Sequence, residues 1–534
     1  MESSNIQFAK KDALMDIPLH LSAYYHYTPD LNHQSQCVLF GTSGHRGNAL
    51  QRSFNRTHIY AITQAIVNYR KKNNINGPVY VGMDNHALSR LVFYDVLCVL
   101  IANDCTVYIQ QDNYYVPTPI ISYSILHANC LSDGIIITPS HNPPEFGGIK
   151  YNLTHGGPAN KTVTAIIEKE ANLIIRKGLS DVKMITLEQV FASDYIKEMD
   201  LIEEYVKHLH RMIDIETLRT SKLKVAVHNL GGISGFVWQK IISYYDLKID
   251  ILDNDLDPAF RSLPLDHDGL IRMDCSSPYV SAHLTHYNAE YDLVFINDPD
   301  VDRFGVLENR QLLPTYMMLA NAVDYLLEIR SCNDNIKIGK SLVMSDLIDE
   351  IAQAHGVDIY EVPVGFKWYA EPFSQSHLLF VGEESAGCNF LDRNMKPFAI
   401  DKDGIVINLL AWQMACDKQC QLSTYYQRLE KKHYASFYHR EDLTLCDMMK
   451  KKVNDFVQSV VDMTHINNEN IIEVRTRALG NHEEIKGVKI RLESAWIVIR
   501  NSGTEPLAKI YVESKKSMAH VEALISAMKQ FIQV

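Results

Sequence analysis

One pattern recurs three times along this chain and constrains its fold more than any other feature. Short apolar runs alternate with helical stretches in sets of three, and the third run of each set ends in a polar loop. The predicted strands are 79–83, 106–110 and 134–138, then 224–228, 248–252 and 292–296, then 341–344, 358–362 and 378–381. Strands alternating with helices of this length are typical of βαβ units and mostly parallel sheets. Repetition of the whole set favours three related domains.

The C-terminal part of the chain follows a different pattern. Its predicted strands and final helix are 489–492, 496–500, 509–513 and 518–532. Short strands followed by one amphipathic helix favour a small α+β domain. We therefore predict an α/β protein with three related mixed or mostly parallel domains and a smaller C-terminal α+β domain around a central cleft. The predicted domain boundaries are 1–205 (with an N-terminal extension), 206–315, 316–432 and 433–534.

Composition and charge restrict the function. Apolar residues make up 46% of the 534 residues and charged residues 22%, as in a globular protein. The net charge of −12 argues against nucleic-acid binding, because no excess basic surface is available for phosphates. The N-terminus shows no signal-peptide pattern and the longest apolar stretch contains Asp95, so we expect a cytoplasmic protein without membrane association. Ten cysteines without C-x-x-C pairs favour free thiols over disulfides or zinc.

The first polar loop, TPSHNPP at 138–144, follows a run of isoleucines and presents a hydroxyl, an imidazole and a carboxamide together. Its prolines exclude a helix and stiffen the chain. A serine beside a base at the end of a buried strand is one way to present a nucleophile, so Ser140 and His141 are candidates for catalysis. An ordinary turn is the alternative.

The second loop, DPDVDR at 298–303, places three carboxylates within five residues. Like charges at this spacing are costly unless a cation neutralises them, and all-oxygen ligation suits Mg²⁺. We predict a metal site made by Asp298, Asp300 and Asp302. Arg303 is placed to hold a transferring phosphoryl group. A solvated acidic turn is the alternative.

Two further loops carry polar chemistry. GEESAG at 382–387 offers carboxylate and hydroxyl acceptors suited to sugar hydroxyls, and Lys367 precedes it as a candidate proton donor or phosphate anchor. RNSGT at 500–504 combines a guanidinium, two hydroxyls and a glycine, which is the composition of a phosphate-binding nest. Plain turns and a surface lysine are the alternatives. NLGGISG at 229–235 lacks dinucleotide-binding spacing and indicates a tight strand-to-helix turn.

In order and over nearly the whole chain, these loops resemble the α-D-phosphohexomutases, and among them the bacterial-type phosphoglucomutases. The resemblance is carried by GTSGHRG at 41–47, TPSHNPP at 138–144 with GIKYN at 148–152, NDPDVDR at 297–303, PVGFKW at 363–368, GEESAG at 382–387 and RNSGTEP at 500–506. One such motif is common by chance, whereas six in the same order are specific. Two positions depart from the family pattern: Asn501 replaces a proline, and Pro299 replaces the glycine common across the wider superfamily.

The resemblance implies a phosphorylated Ser140 as the reactive group, with one Mg²⁺ held by that phosphoserine and the three aspartates. Residues that the resemblance places near the transferring group are Arg46, His141 and Lys150. Residues that it implies for the sugar are Gly365, Lys367, Glu383 and Ser385, with Lys367 also serving in proton transfer. Residues that it implies for the phosphate that is not reacting are Arg500, Ser502, Gly503 and Thr504.

The activity implied by the resemblance is the reversible interconversion of α-D-glucose 1-phosphate and glucose 6-phosphate. Glucose 1,6-bisphosphate would be both intermediate and primer. A phosphorylated hexose is then the substrate, and the protein is expected to be a monomer or a homodimer. The alternatives are a phosphomannomutase or phosphoglucosamine mutase with the same chemistry, or a sugar-phosphate sensor without catalysis. A phosphatase is disfavoured because no water-activating site accompanies the serine.

Overall fold

The computed structural model describes residues 6–41, 43–285, 287, 290–333, 335–444, 447–501 and 507–532. The first sheet contains β1 (His45–Asn48), β2 (Val79–Met83), β3 (Val107–Gln110), β4 (Asp133–Ile137), β5 (Phe146–Asn152) and β6 (Ile196–Met199). The second contains β7 (Val225–His228), β8 (Ile249–Asp253), β9 (Leu293–Asn297), β10 (Phe304–Glu308) and β11 (Gln311–Leu312). The third contains β12 (Lys337–Ser341), β13 (Asp358–Val362), β14 (Leu378–Glu383) and β15 (Gly387–Phe390). The C-terminal sheet contains β16 (Phe437–Thr444), β17 (His465–Ile466), β18 (Glu469–Arg477), β19 (Glu484–Leu492), β20 (Ala495–Asn501) and β21 (Leu507–Ser514).

Helices accompany each sheet. Those of the first segment are α1 (Ile17–His26), α2 (Arg56–Lys72), α3 (Ser89–Ala102), α4 (Thr118–Leu126), α5 (Lys161–Arg176) and α6 (Leu187–Phe191). The next are α7 (Leu201–Lys207), α8 (Ile215–Arg219), α9 (Ser234–Tyr245) and α10 (Pro278–Ser281), then α11 (Thr315–Ile329), α12 (Leu347–Ala354), α13 (Ala370–Ser374), α14 (Gly404–Lys418) and α15 (Leu422–Lys432). The C-terminal domain adds α16 (Asp447–Ser459) and α17 (Met518–Ile532). Within the described ranges, no helix is both long and apolar enough to cross a bilayer.

The first three sheets share one strand arrangement, which confirms the predicted fold class. The central orders are β5-β4-β2-β3, β10-β9-β7-β8 and β15-β14-β12-β13. In each sheet the first strand of the set pairs in parallel with the second and third, and the third turns back into an antiparallel fourth strand. The fourth strands were not predicted, and they make the three sheets mixed.

One predicted strand was displaced. The prediction 341–344 is wrong, because the strand at this place is β12, Lys337–Ser341. The Lys340 side chain in this strand is fully buried, and its ammonium donates to the carboxylates of Asp346, at 3.0 Å, and Asp349. The ion pairs make burial of this lysine tolerable.

One face of each of the first three sheets contributes to a continuous hydrophobic core, whereas the C-terminal sheet packs its own helices over a separate core. One cluster of buried side chains includes Ile136 in β4, Phe295 in β9 and Phe380 in β14. Residues 404–415 of α14 are all buried within this cluster. The C-terminal core instead packs α17 on strands β19 to β21. On its other face the C-terminal sheet packs Trp496, Val498 and Tyr511 against Leu342 and Val343, so a smaller shared cluster joins the fourth domain to the third.

The fourth domain contacts the third through a buried ionic network. The Glu361 carboxylate in β13 accepts hydrogen bonds from Arg475 Nη1, at 2.8 Å, and Lys489 Nζ, at 2.9 Å. On the same interface the Glu513 carboxylate accepts a hydrogen bond from the backbone N–H of Asp346 at 2.8 Å. Burial alone would raise the pKa of Glu361, but Lys489, Lys340 and Arg475 lower it to about 2.

Substitution of Glu361→Gln is expected to weaken this interface and lower the free energy of unfolding by about 3 kcal/mol, because the buried Lys489 and Arg475 both lose their nearest carboxylate. Each keeps a more distant carboxylate, Asp346 at 3.5 Å for Lys489 and Glu473 at 3.2 Å for Arg475. The folded pKa of about 2 lies below the ordinary value of 4.5, so the stabilisation is present above pH 4.5 and is lost as the pH falls from there towards 2. Thermal unfolding of both proteins across this pH range should therefore show converging transition temperatures. Glu473→Gln is the matched control, because Glu473 pairs with Arg475 from a solvent-exposed position. Equal effects of the two substitutions would contradict the assignment.

Candidate active site

Three loops, each following the third strand of its domain, converge at the centre of the molecule. Each contains a non-glycine residue with a positive φ angle: Ser140 (59°), Val301 (62°) and Ala386 (64°). Such left-handed backbone costs about 1–3 kcal/mol at a non-glycine residue and persists only where the surroundings enforce it. The three domains therefore share a strained bend after their third strand as well as a strand order. The three bends lie close to one another.

Ser140 lies on the bend after β4. Its side chain is buried, and its Oγ donates a hydrogen bond to Asp298 Oδ2 of the second domain at 3.1 Å. Its backbone N–H donates to Thr138 Oγ1 at 2.7 Å. The candidate nucleophile thus directly contacts the candidate metal loop across a domain boundary.

The three aspartates that follow β9 form a compact buried cluster. One carboxylate oxygen from each of Asp298, Asp300 and Asp302 lies within 4.8 Å of the others. The Oδ1 atoms of Asp300 and Asp302 are buried, and no residue in the described part of the chain hydrogen-bonds to them. Burial and repulsion by the two neighbouring carboxylates raise the pKa of Asp298 well above its usual value. Unpartnered hard oxygen donors at this spacing fit a divalent cation such as Mg²⁺.

Two buried lysines face the aspartates. Lys150 Nζ, from β5, donates to Asp300 Oδ2 at 2.7 Å and to Asp302 Oδ2 at 3.1 Å. Lys402 Nζ lies 3.0 Å from Asp302 Oδ2. Burial would lower the pKa of Lys150, but the two carboxylates raise it. Thr118 Oγ1 completes this side by donating to Asp300 Oδ2 at 2.7 Å. Two buried ammonium groups therefore partly neutralise the three carboxylates.

Arg303 connects the metal loop to the third domain. Its backbone N–H donates to Asp298 Oδ1 at 3.0 Å, and its guanidinium Nη1 donates to the carbonyl of Ser385 at 3.0 Å. Its Nε is buried without a hydrogen-bond partner. An unpartnered N–H of a buried guanidinium beside the aspartates is suited to a phosphoryl oxygen.

His141 and Arg46 flank the opposite side of the Ser140 loop. His141 Nδ1 lies 3.8 Å from Asp274 Oδ2, and burial together with the nearby Arg303 holds the pKa of His141 well below its usual value. Arg46 Nη1 donates to the side-chain carbonyl of Asn142 at 3.4 Å. Burial lowers the pKa of Arg46.

The loop of the third domain places a carboxylate and a lysine near the cleft. Glu383 Oε1 accepts a hydrogen bond from the backbone N–H of Gly365 at 2.7 Å, and burial raises the pKa of Glu383. Gly365 has a φ of 132°, which side chains rarely tolerate. Burial, followed by repulsion from Lys486 and Lys161, lowers the pKa of Lys367.

The C-terminal domain presents a cluster of cations on neighbouring strands. Arg500 Nη2 donates to the Tyr511 hydroxyl at 3.1 Å, while its Nε is buried and has no hydrogen-bond partner among the described residues. Arg440 Nη2 and Lys509 Nζ each donate to Asp442 Oδ2 at 2.7 Å. The predicted Ser502, Gly503 and Thr504 lie outside the described residues.

Comparisons with known proteins match this arrangement of domains. Models of the phosphoglucomutase/phosphomannomutase family match in order: alpha/beta/alpha domain I at 38–176, domain II at 203–311, domain III at 314–433 and the C-terminal domain at 452–530. A curated phosphoglucomutase from Komagataeibacter xylinus is 40% identical over 520 residues, covering 96% of this chain and 94% of the relative. The chain belongs to the phosphoglucomutase/phosphomannomutase family.

Solved structures of phosphoglucomutase/phosphomannomutase proteins share the fold at lower identity. The open form of pp63/parafusin (phosphoglucomutase) from Paramecium has a TM-score of 0.73 and 19% identity, over 95% of each chain. A family protein from Burkholderia thailandensis has a TM-score of 0.69 and 17% identity, over 93% of this chain and 98% of that one. The predicted family resemblance is confirmed; the exact domain boundaries and the roles of single residues stay predictions.

In this family member the structure brings six of the sixteen predicted site residues together at one place. Those brought together around the aspartates are Ser140, Lys150, Asp298, Asp300, Asp302 and Arg303. Ser385 joins them only through its backbone carbonyl, and Glu383 joins Gly365 in the third domain. Arg500 lies in the separate C-terminal cluster.

Sequence analysis missed four residues of these clusters: Thr118, Lys402, Arg440 and Lys509. Lys402 had a usable signal, because it stands between Asp401 and Asp403 directly before the apolar helix α14. Lys509 had none, because only the pairing of β16 with β21 places it opposite Asp442. Arg440 lies two residues before Asp442 on β16, a strand that was not predicted.

Proposed function

We propose that this protein is a phosphoglucomutase, which interconverts α-D-glucose 1-phosphate and glucose 6-phosphate. The observation that carries the proposal is the hydrogen bond of the buried Ser140 hydroxyl to Asp298 within a cluster of three carboxylates. A phosphoryl carrier needs this combination of a nucleophilic oxygen and a charge-neutralising site. The 40% identity to a phosphoglucomutase over nearly the whole chain supports the same conclusion.

The aspartate cluster is the proposed Mg²⁺ site. Asp298, Asp300, Asp302 and a phosphorylated Ser140 would hold the ion, whose chemistry is to neutralise negative charge on the transferring phosphoryl group. The unpartnered Oδ1 atoms of Asp300 and Asp302 support this assignment, because buried carboxylate oxygens otherwise find hydrogen-bond donors.

The reaction then consists of two phosphoryl transfers with a turnover of the sugar between them. In the first, the bond between phosphorus and Ser140 Oγ breaks while a bond to the free sugar hydroxyl forms and the hydroxyl proton leaves. The product is glucose 1,6-bisphosphate. After the intermediate turns over, its other phosphate returns to Ser140, and the bond to the sugar oxygen breaks. Arg303 and Lys150 stabilise the charge of the transferring group, with Arg46 and His141 beside it.

The remaining residues hold the substrate in either orientation. Gly365, Glu383 and Ser385 are proposed to contact the sugar hydroxyls. Arg500, Ser502, Gly503 and Thr504 are proposed to bind the phosphate that is not reacting. The unpartnered Nε of Arg500 supports a role as an anion ligand. The sugar-binding residues must accept the sugar ring in two orientations, whereas the C-terminal residues bind a phosphate at the same position in both. Such a site suits this chemistry.

Lys367 is proposed to transfer the proton of the reacting hydroxyl. Burial lowers its pKa, so the neutral amine is more readily available to take the hydroxyl proton in the first transfer, and the resulting ammonium is a better donor to the sugar oxygen that leaves in the second. Lys367→Met is expected to lower kcat by about 10²-fold. The fully exposed Lys177, which pairs only with Asp181 among the described residues, offers the control Lys177→Met with an unchanged kcat. An unchanged kcat in Lys367→Met would remove the lysine from the mechanism.

A coupled assay for glucose 6-phosphate tests the proposed function, with Mg²⁺ and glucose 1,6-bisphosphate varied independently. We expect turnover that requires both, and a higher kcat/KM for glucose 1-phosphate than for mannose 1-phosphate or glucosamine 1-phosphate. Preference for either of the other sugars would reassign the substrate. Binding of glucose 1-phosphate without turnover under all conditions would instead indicate a sensor.

A further inference from the structure

The segment that follows β2, residues 84–86, lies beneath the Ser140 loop and has no part in the mechanism above. Asp84 is fully buried, yet its carboxylate accepts four hydrogen bonds. The donors are His86 N (3.0 Å), His86 Nδ1 (2.7 Å), Ser89 Oγ (2.6 Å) and Thr138 Oγ1 (2.6 Å). Burial alone would raise the pKa of Asp84, but His86 and these hydrogen bonds hold it below its usual value, so the group is a carboxylate. Its position is thereby fixed.

The carboxylate of Asp84 determines the direction of the Thr138 hydroxyl. A hydroxyl has one hydrogen, and Thr138 donates it to Asp84 Oδ2. The same oxygen can then only accept from its other neighbour, the backbone N–H of Ser140, at 2.7 Å. This hydrogen bond holds Ser140 at its positive φ of 59°. Asp84 therefore acts on Ser140 through one intervening side chain.

His86 supports the other side of the same loop. Its Nδ1 faces Asp84, and its Nε2 lies 3.2 Å from the backbone carbonyl of Asn142. Both ring nitrogens thus face an oxygen atom. Phe260 packs on the ring with centroids 4.7 Å apart. The buried pair Asp84 and His86 therefore contacts the loop on both sides of Ser140, at Thr138 and at Asn142.

Asn85 connects this segment to the metal loop of the second domain. Its Nδ2 donates to the carbonyl of Gly231 at 2.6 Å. The turn that contains Gly231 packs against Pro299 so closely that a Cβ on Gly232 would lie 2.5 Å from Pro299 Cα. The N–H of Ile233 donates to the Pro299 carbonyl at 3.3 Å. The predicted strand-to-helix turn at 229–235 is therefore a spacer between residues 84–86 and the aspartates.

We propose that Asp84, Asn85 and His86 form a positioning unit that sets the Ser140 hydroxyl against Asp298 across the boundary of the first two domains. These residues act through Thr138, Asn142 and Gly231 and do not touch the reacting atoms. The effect on phosphoryl transfer rests on the proposed function, whereas the effect on the Ser140 loop does not. In-line transfer is sensitive to small misplacements, which can cost about 10²-fold in rate.

Thr138→Val tests the unit, because it removes the connecting hydroxyl and nearly conserves shape. We expect kcat to fall about 10- to 100-fold while KM for glucose 1-phosphate changes less than about two-fold. Thr138→Ser keeps the hydroxyl and should retain most of the activity. Thr63→Val is the matched control, because the buried Thr63 hydroxyl donates only to the Ile59 carbonyl within α2 in the described structure. Equal kcat values in Thr138→Val and Thr138→Ser would overturn the proposal.

Hydrogen–deuterium exchange of the Ser140–Asn142 amides gives a readout that needs no activity. We expect faster exchange, by about ten-fold or more, in Thr138→Val and His86→Gln but not in Thr63→Val. Exchange unchanged in both loop variants would overturn the positioning unit. If the wild-type protein does not turn over hexose phosphates but the exchange pattern holds, the proposed function fails and the positioning unit stands.

Discussion

Substitution of Ser140 by alanine is expected to abolish mutase activity, by at least about 10⁴-fold, because the residue that carries the phosphoryl group is removed. The Ser140 Oγ makes one hydrogen bond in the structure, to Asp298, so its loss leaves the surrounding strands intact. Intact mass measured after incubation with glucose 1,6-bisphosphate should show one phosphoryl group on the wild-type protein and none on the variant.

Ser124→Ala is the matched control for this experiment. Ser124 is also a buried serine, but its hydroxyl donates to the Ile120 carbonyl within α4, away from the aspartates. The Ser124→Ala variant should be phosphorylated on Ser140 and should be as active as the wild type. Activity of Ser140→Ala within ten-fold of the wild type would rule out the phosphoserine mechanism.

Substitution of Asp300 by asparagine is expected to lower kcat by about 10³-fold and to weaken Mg²⁺ binding. The amide keeps the size of the side chain but removes the charge, and it leaves Lys150 with one carboxylate instead of two. Chelation of the metal should inactivate the wild-type enzyme, and Mg²⁺ should restore it. A titration of activity with Mg²⁺ measures the loss of affinity in the variant.

Asp324→Asn controls for the general cost of losing a buried carboxylate. Asp324 is buried in α11 and accepts a hydrogen bond from the Tyr425 hydroxyl at 2.6 Å, far from the cleft loops in the fold. Its substitution should affect stability rather than Mg²⁺ dependence. An unchanged Mg²⁺ requirement in Asp300→Asn would place the metal elsewhere.

The repeated α/β domains and the three loops that follow their third strands were predictable because each is a contiguous stretch with its own chemistry. The antiparallel fourth strands were not. In β5, Gly148 is needed because the strand passes the Ser140 loop closely, and a side chain on Gly147 would meet the ring of Phe54. A Cβ on Gly148 would lie 2.1 Å from the Thr138 carbonyl oxygen. Glycine in a strand here marks close backbone approach.

The sequence also could not predict contacts between segments that are far apart along the chain. The hydrogen bond from Lys150 to Asp300 joins residues 150 positions apart, and no local pattern records it. The strand at β12 was misplaced because the buried Lys340 is tolerable only with its aspartate partners. The positioning of Thr138 by Asp84 was likewise invisible, since it depends on neighbouring parallel strands.

The most direct test of the account is a single-turnover experiment with the phosphorylated enzyme. Protein phosphorylated by glucose 1,6-bisphosphate and freed of excess sugar is mixed with an equimolar amount of glucose 1-phosphate and quenched at successive times. We predict that one phosphoryl group leaves Ser140 and forms glucose bisphosphate at least as fast as kcat. Turnover that proceeds while the phosphoryl group stays on the protein, or its release as inorganic phosphate, would contradict the mechanism.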